Sequence, residues 1–158
     1  MQNYSDHIGI VGGGIAGLTL GCALLKEGIP AVIFEQSSKQ RSHGAAISMS
    51  QNALCLLDRL DIFNDLRDQS YVHSKASIQG PKKTICTFNT PSVLTTHREV
   101  LMTLLANRYL SLGGEIFYDH AIIGFDQTKC ETRFHNNKKY IVSHLAACDG
   151  IRSSIRDT

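Results

Sequence analysis

The stretch His7-Ile8-Gly9-Ile10-Val11-Gly12-Gly13-Gly14-Ile15-Ala16-Gly17 decides the fold of this 158-residue chain. From Ile8 to Val11 it carries no polar side chain, as expected of a parallel strand covered on both faces. Glycines follow where the strand must turn, and Leu18-Thr19-Leu20-Gly21-Cys22-Ala23-Leu24-Leu25 continues as a helix. The helix is predicted from Gly14 to about Glu27, with Gly28 as a left-handed stop and Pro30 barring continuation. A second apolar strand, 31–35, ends on Glu35.

Strand, glycine turn, helix, strand and terminal acid in this order make a dinucleotide-binding fingerprint in its proper context. Gly12 allows the tight turn, Gly14 lets backbone approach a pyrophosphate, and Gly17 lets the helix lie close to the strand. Free amides at the helix start, from Gly14 through Ile15 and Ala16, face the phosphates without needing a cationic side chain. Glu35 stands 21 residues beyond Gly14, where a carboxylate accepts hydrogen bonds from the hydroxyls of an adenosine ribose. A 2′-phosphate would be repelled there, so the pocket favours FAD or NAD over NADP.

Size and composition bound the rest. A chain of 158 residues buries one substantial core, roughly 70% of its unfolded surface by size scaling. With 42% hydrophobic residues, 13 glycines and 3 prolines it reads as an ordered globular domain. A net charge of +2, spread along the chain, gives no basis for a nucleic acid or membrane-surface partner. The apolar stretch from Ile8 to Leu25 has clustered glycines and no preceding Lys or Arg, so strand-turn-helix explains it better than a membrane span or signal. A cytoplasmic location is the default. Five widely spaced cysteines without a C-x-x-C pair read as free thiols, mostly small core residues.

Beyond the second strand, Gly44 to Met49 is an extended run, and Ser50 or Asn52 caps a helix carrying Leu54 and Leu57. Runs 71–79 and 82–89, joined by Gly80-Pro81, predict a hairpin. Thr96-His97-Arg98-Glu99 reads as a capping box opening a helix that stops at Gly113-Gly114. Short strands follow at 115–118, 121–126, 130–135 and 139–143, with a separate apolar strand at 144–148 before Asp149-Gly150. The fold class is therefore α/β, a Rossmann-like domain whose parallel sheet takes an antiparallel β-meander excursion.

Other chemistries find little support. His43, His73, His97, His120, His135 and His144 show no metal-ligand spacing, and surface roles are expected for most of them. Neither a Gly-x-Ser-x-Gly elbow nor a Walker A lysine is present in the sequence.

Taken together, the motifs resemble the amino-terminal half of the FAD-dependent aromatic hydroxylases, the flavoprotein monooxygenases related to para-hydroxybenzoate hydroxylase. Four places carry the resemblance: Gly12 to Gly17 with Glu35, Arg41 to Ile47, Thr96-His97-Arg98, and Ala147-Cys148-Asp149-Gly150 with the residues through Arg156. The last discriminates most, because NAD dehydrogenases with the same glycine turn lack the Asp-Gly segment.

This resemblance implies FAD as resident cofactor, NADPH or NADH as transient electron donor, and O2 with a small aromatic substrate as reactants. It places Gln36 beside Glu35 at the cofactor, Arg41 and Arg98 next to the FAD, and Asp149 and Gly150 against it; Arg152 and Arg156 are either phosphate contacts or a solvated basic end. No catalytic residue is assigned, since the cofactor carries the difficult step. The family continues into a substrate-covering sheet and a second Gly-Asp motif, so 1–158 reads as an amino-terminal FAD-binding portion, truncated, inactive alone and prone to self-association through an incomplete sheet. The alternatives are a noncatalytic or partner-completed dinucleotide-binding module and an FAD oxidoreductase of another type.

Overall fold

The computed structural model describes residues 2–40 and 44–156. In chain order the first elements are β1 (Gln2–Val11), α1 (Ile15–Lys26), β2 (Ala31–Phe34), β3 (Ala46–Met49), α2 (Gln51–Arg59), α3 (Phe63–Asp68) and β4 (Tyr71–Gln79). Then come β5 (Thr84–His97), α4 (Arg98–Ser111), β6 (Glu115–Phe117), β7 (Ile122–Asp126), β8 (Glu131–Phe134) and β9 (Lys139–Ala147). They form two compact units, one of Met1–Ser42 with Leu105–Thr158, the other of His43–Leu104.

The first unit holds a six-stranded sheet in the order β6-β2-β1-β9-β8-β7. Pairing is parallel between β6 and β2, β2 and β1, and β1 and β9. It turns antiparallel through β8 and β7, the meander that the short strands announce. Side-chain alternation divides the sheet's two faces. Ile10 and Ile33 lie beneath α1, within 3.2 Å of where a Cβ on Gly17 or Gly21 would stand. Val11, Val32, Phe34, Ile122, Phe134, Tyr140 and Val142 form a cluster on the opposite side. Phe34, Phe134 and Tyr140 are fully buried, each adding about 2–3 kcal/mol of hydrophobic stabilisation.

Helix α1 ends as its sequence dictates. Gly28 takes φ +73°, and the amides of Gly28 and Ile29 reach back to the carbonyls of Leu25 and Leu24, the paired bonds of a Schellman stop. The same arrangement closes α4, with Gly113 and Gly114 bonding Leu110 and Tyr109.

The second unit contains a three-stranded antiparallel sheet, β3-β5-β4, with α2 and α3. The predicted hairpin is β4 and β5, but β5 runs on to His97 because its far end pairs with β3. This overturns the capping box. Thr96 is a strand residue paired with Ile47, and its buried hydroxyl donates to the Gln69 carbonyl at 3.2 Å. The first α4 amide, that of Arg98, donates to the Ala45 carbonyl. Pairing across the sheet has outweighed a local helix-start signal.

Three further expectations change. Residues 139–143 and 144–148 are not two strands: β9 is continuous, because β1 begins at Gln2 and supports its whole length. An irregularity between Tyr4 and Ile8 absorbs the mismatch, and the Ser143 hydroxyl bonds the His7 carbonyl there. All five cysteines are free, yet only Cys22 is buried, so most are not core residues. No helix among the described residues is long and apolar enough to cross a membrane.

Candidate cofactor site

Parallel pairing brings the motifs together. Val11 pairs with Phe34 on one side and Ala147 on the other, so three adjacent strands end side by side. Gly12, Glu35 and Asp149 each lie just past one of those ends, where ligands of open α/β sheets bind. Two bonds continue the ladder past the strand ends: Gly12 N–H to the Phe34 carbonyl and Cys148 N–H to the Val11 carbonyl, both 2.8 Å.

Each glycine of the turn answers to a different neighbour. Gly12 has φ +106°, and a Cβ there would stand 2.4 Å from the Cys148 carbonyl oxygen. At Gly17 a Cβ would come within 1.9 Å of the Gly12 carbonyl oxygen, so helix and turn pack backbone to backbone. Gly14 differs, since a Cβ on it meets nothing within 4 Å. It is the N-cap of α1, offers no side-chain cap, and precedes a first turn without an acidic residue. Among the described hydrogen bonds none uses the amides of Gly14, Ile15, Ala16 or Gly17. That cluster of open N–H groups at the positive end of a helix suits an anion.

The Glu35 carboxylate is held in place by backbone. Its Oε2 accepts from Gly13 N–H at 2.7 Å and its Oε1 from Ser37 N–H at 2.9 Å. Each oxygen keeps a lone pair for an incoming hydroxyl donor. Gln36 is exposed on the same turn. Asp149 is poised in another way: Oδ2 accepts from Ser154 N–H at 2.7 Å, while Oδ1 is buried without a partner among the described residues. A buried unpaired acceptor is costly, and a ligand donor would relieve it. Gly150 has φ +88°, with open space where a Cβ would be. Burial and the neighbouring Asp149 push the Cys148 thiol pKa up, so it stays a thiol.

Four arginines complete the sequence candidates. Arg41 lies outside the described residues. Arg98 opens α4 in the second unit, exposed, with its side chain 2.8 Å from where a Cβ on Gly44 would sit. Arg152 is exposed, and Arg156 reaches the Ile151 carbonyl at 3.5 Å. Two participants escaped the sequence reading. Gly13 matters through its amide, which every residue but proline possesses, so only the three-dimensional path of Glu35 reveals it. His120, expected at the surface with most histidines, is 3% exposed and bonds Tyr140 Oη at 2.8 Å through Nε2. No signal in the sequence marks it, because its partners are set by strand packing. No group of three or more potential metal ligands occurs among the described residues.

Open helix amides, an anchored acid at the end of the neighbouring strand and an unpaired buried carboxylate oxygen define an α/β dinucleotide-binding domain, and they fit FAD. The chain belongs to the FAD-binding domain family, whose model matches residues 6–158. It is 30% identical over 162 residues to Monooxygenase 1 of Arabidopsis thaliana, covering 96% of this chain and 40% of that protein. To the FAD-dependent monooxygenase nscC of Arthroderma otae it is 29% identical over 167 residues, covering 93% and 40%. In fold it matches 2-methyl-3-hydroxypyridine-5-carboxylic acid oxygenase with a TM-score of 0.88 at 24% identity, over 97% of this chain and 42% of that one. The chain thus spans about two fifths of the length of the relatives it matches.

Proposed function

We propose that this chain is the FAD-binding portion of an NAD(P)H-dependent flavoprotein monooxygenase that hydroxylates a small aromatic substrate. The observation carrying the cofactor assignment is the arrival of the glycine turn, Glu35 and Asp149 at the ends of three adjacent parallel strands. The reaction class rests on the named monooxygenases among its relatives.

In this reading the amides of Gly14, Ile15, Ala16 and Gly17 hold the pyrophosphate, and Gly12 shapes the turn that presents them. Glu35, fixed by Gly13 and Ser37, accepts from the ribose hydroxyls, with Gln36 alongside. Asp149 and Gly150 close on the cofactor from the neighbouring strand end. Arg41 and Arg98 enter beside the FAD by resemblance alone, Arg98 near its phosphates. When bound, FAD supplies the redox chemistry by which electrons from NADPH or NADH and one atom of O2 reach the substrate. The protein's own work is binding, orientation and exclusion of water.

The test is a titration of the purified, folded chain with FAD, followed by flavin absorbance and fluorescence. Saturable binding is expected, and a folded sample that leaves FAD free overturns the cofactor assignment. NAD(P)H-dependent O2 uptake with aromatic acceptors, measured on a chain extended to the length of its relatives, tests the reaction class.

A further inference from the structure

Behind Glu35 stands a short turn, Tyr118-Asp119-His120, that no step of the cofactor chemistry employs. Three backbone bonds tie it to the Glu35 segment. Glu35 N–H donates to the Phe117 carbonyl at 2.8 Å, Asp119 N–H to the Ser37 carbonyl at 3.0 Å, and His120 N–H to the Glu35 carbonyl at 2.9 Å. These bonds place the segment whose Ser37 amide and Glu35 carboxylate meet at 2.9 Å. The turn owes its shape to Asp119, which sits at φ +57°, in the left-handed region that aspartate enters more readily than most non-glycine residues.

The His120 side chain carries the end of the turn into the core. Its ring is 3% exposed and lies 5.1–5.9 Å, centroid to centroid, from the rings of Phe34, Phe117, Phe134 and Tyr140. Nδ1 meets the Tyr118 carbonyl and Nε2 the Tyr140 hydroxyl. A carbonyl can only accept, so in the neutral ring Nδ1 carries the proton and Tyr140 donates to Nε2. Asn136 Nδ2 supports the same turn through the Asp119 carbonyl at 2.9 Å.

We propose that His120 is a positioning residue for the ribose-binding carboxylate: bolted to Tyr140 in the aromatic core, it holds the Asp119 turn against Glu35–Ser37 and thereby fixes where Glu35 presents its oxygens. This rests on the reading of Glu35 as the ribose acceptor. It also predicts a specific defect. Loss of the bolt weakens recognition of the ribose hydroxyls more than it weakens phosphate binding, which belongs to the α1 amides.

The experiment displaces FAD from the chain with ADP and with 2′-deoxy-ADP, read by flavin fluorescence, in wild type, His120→Phe and Tyr140→Phe, with circular dichroism as the fold check. Wild type is expected to bind ADP about tenfold more tightly than 2′-deoxy-ADP, the value of one charge-assisted hydrogen bond. His120→Phe is expected to bring that ratio close to one, and Tyr140→Phe to at least halve it. General loosening would weaken both ligands equally and leave the ratio intact. A folded variant that keeps the tenfold ratio overturns the proposal. Should His120→Phe not fold, Tyr140→Phe, which lacks a single oxygen, decides alone. Wild type binding FAD without distinguishing the two nucleotides would remove the ribose role of Glu35 and this inference with it, while leaving FAD binding itself standing.

Discussion

At the scale of single residues, the glycine turn separates glycines that the fold needs from one that only the proposed cofactor site needs. Gly17→Ala drives a Cβ to within 1.9 Å of the Gly12 carbonyl oxygen, an overpacking between two backbones that costs about 3 kcal/mol. A chemical denaturation midpoint well below wild type is expected. Gly14→Val should behave oppositely, because an added Cβ has no contact within 4 Å beyond its chain neighbours and the backbone is extended at φ −80°, ψ −175°. Its denaturation curve is expected to overlay wild type while FAD affinity falls at least tenfold. Equal FAD binding by Gly14→Val would show that the open space above the turn is not where the phosphates lie. The turn was legible in sequence because its signal is local and its chemistry is backbone. His120 was not, since a histidine shows its role only through what surrounds it.

Elements are held together by one side chain whose importance no pattern announces. The Tyr109 ring in α4 lies where a Cβ on Gly21 of α1 would stand 2.7 Å away and one on Gly114 2.3 Å away. Its hydroxyl proton is shared between the Ala31 carbonyl at 2.8 Å and the Glu115 carbonyl at 3.2 Å, which join β2 and β6 to the helix. Burial pushes the Tyr109 pKa far upward, so this hydroxyl remains a donor at any working pH. Tyr109→Phe is expected to cost about 1 kcal/mol, lowering Tm by roughly 2–4 °C. Gly114→Ala, which collides with the ring itself, should cost more, and calorimetry would rank the two. Sequence periodicity revealed α4 and its glycine stop, yet not this clamp, whose parts come from α1, β2 and β6. The same limit explains the start of α4. Thr96-x-x-Glu99 is a sound local cap pattern, but Thr96 and His97 are claimed by pairing with Ile47 and Ala46, residues some fifty positions away. Strands β1, β2 and β9 end in readable motifs, so the site's three components were foreseen, while their adjacency needed the order of the sheet.

For the whole molecule, the aromatic core of the first unit makes stability depend on pH through His120. Burial is the largest influence on this histidine and pushes its pKa below the ordinary value of about 6.5. The Lys138 ammonium acts in the same direction, whereas the Tyr118 carbonyl and the Asp119 carboxylate oppose it, and Tyr140 presents only a hydroxyl. Below about pH 6.5 the unfolded chain therefore takes up a proton that the folded chain resists. Stability rises with pH wherever the unfolded state holds more protons. The contribution of neutral His120 is thus complete above its unfolded pKa and is lost as pH falls toward the folded one. Urea midpoints measured between pH 7.5 and 5.5 should fall on acidification in the wild type, and His120→Phe should flatten that slope even though it lowers the midpoint at pH 7.5. Because the folded chain resists this proton, FAD affinity should hold while the unfolded state titrates and decline in wild type only at lower pH, as folded His120 itself takes up a proton, a decline that His120→Phe should lack. Parallel slopes in the two proteins would mean that acid sensitivity arises elsewhere in the chain.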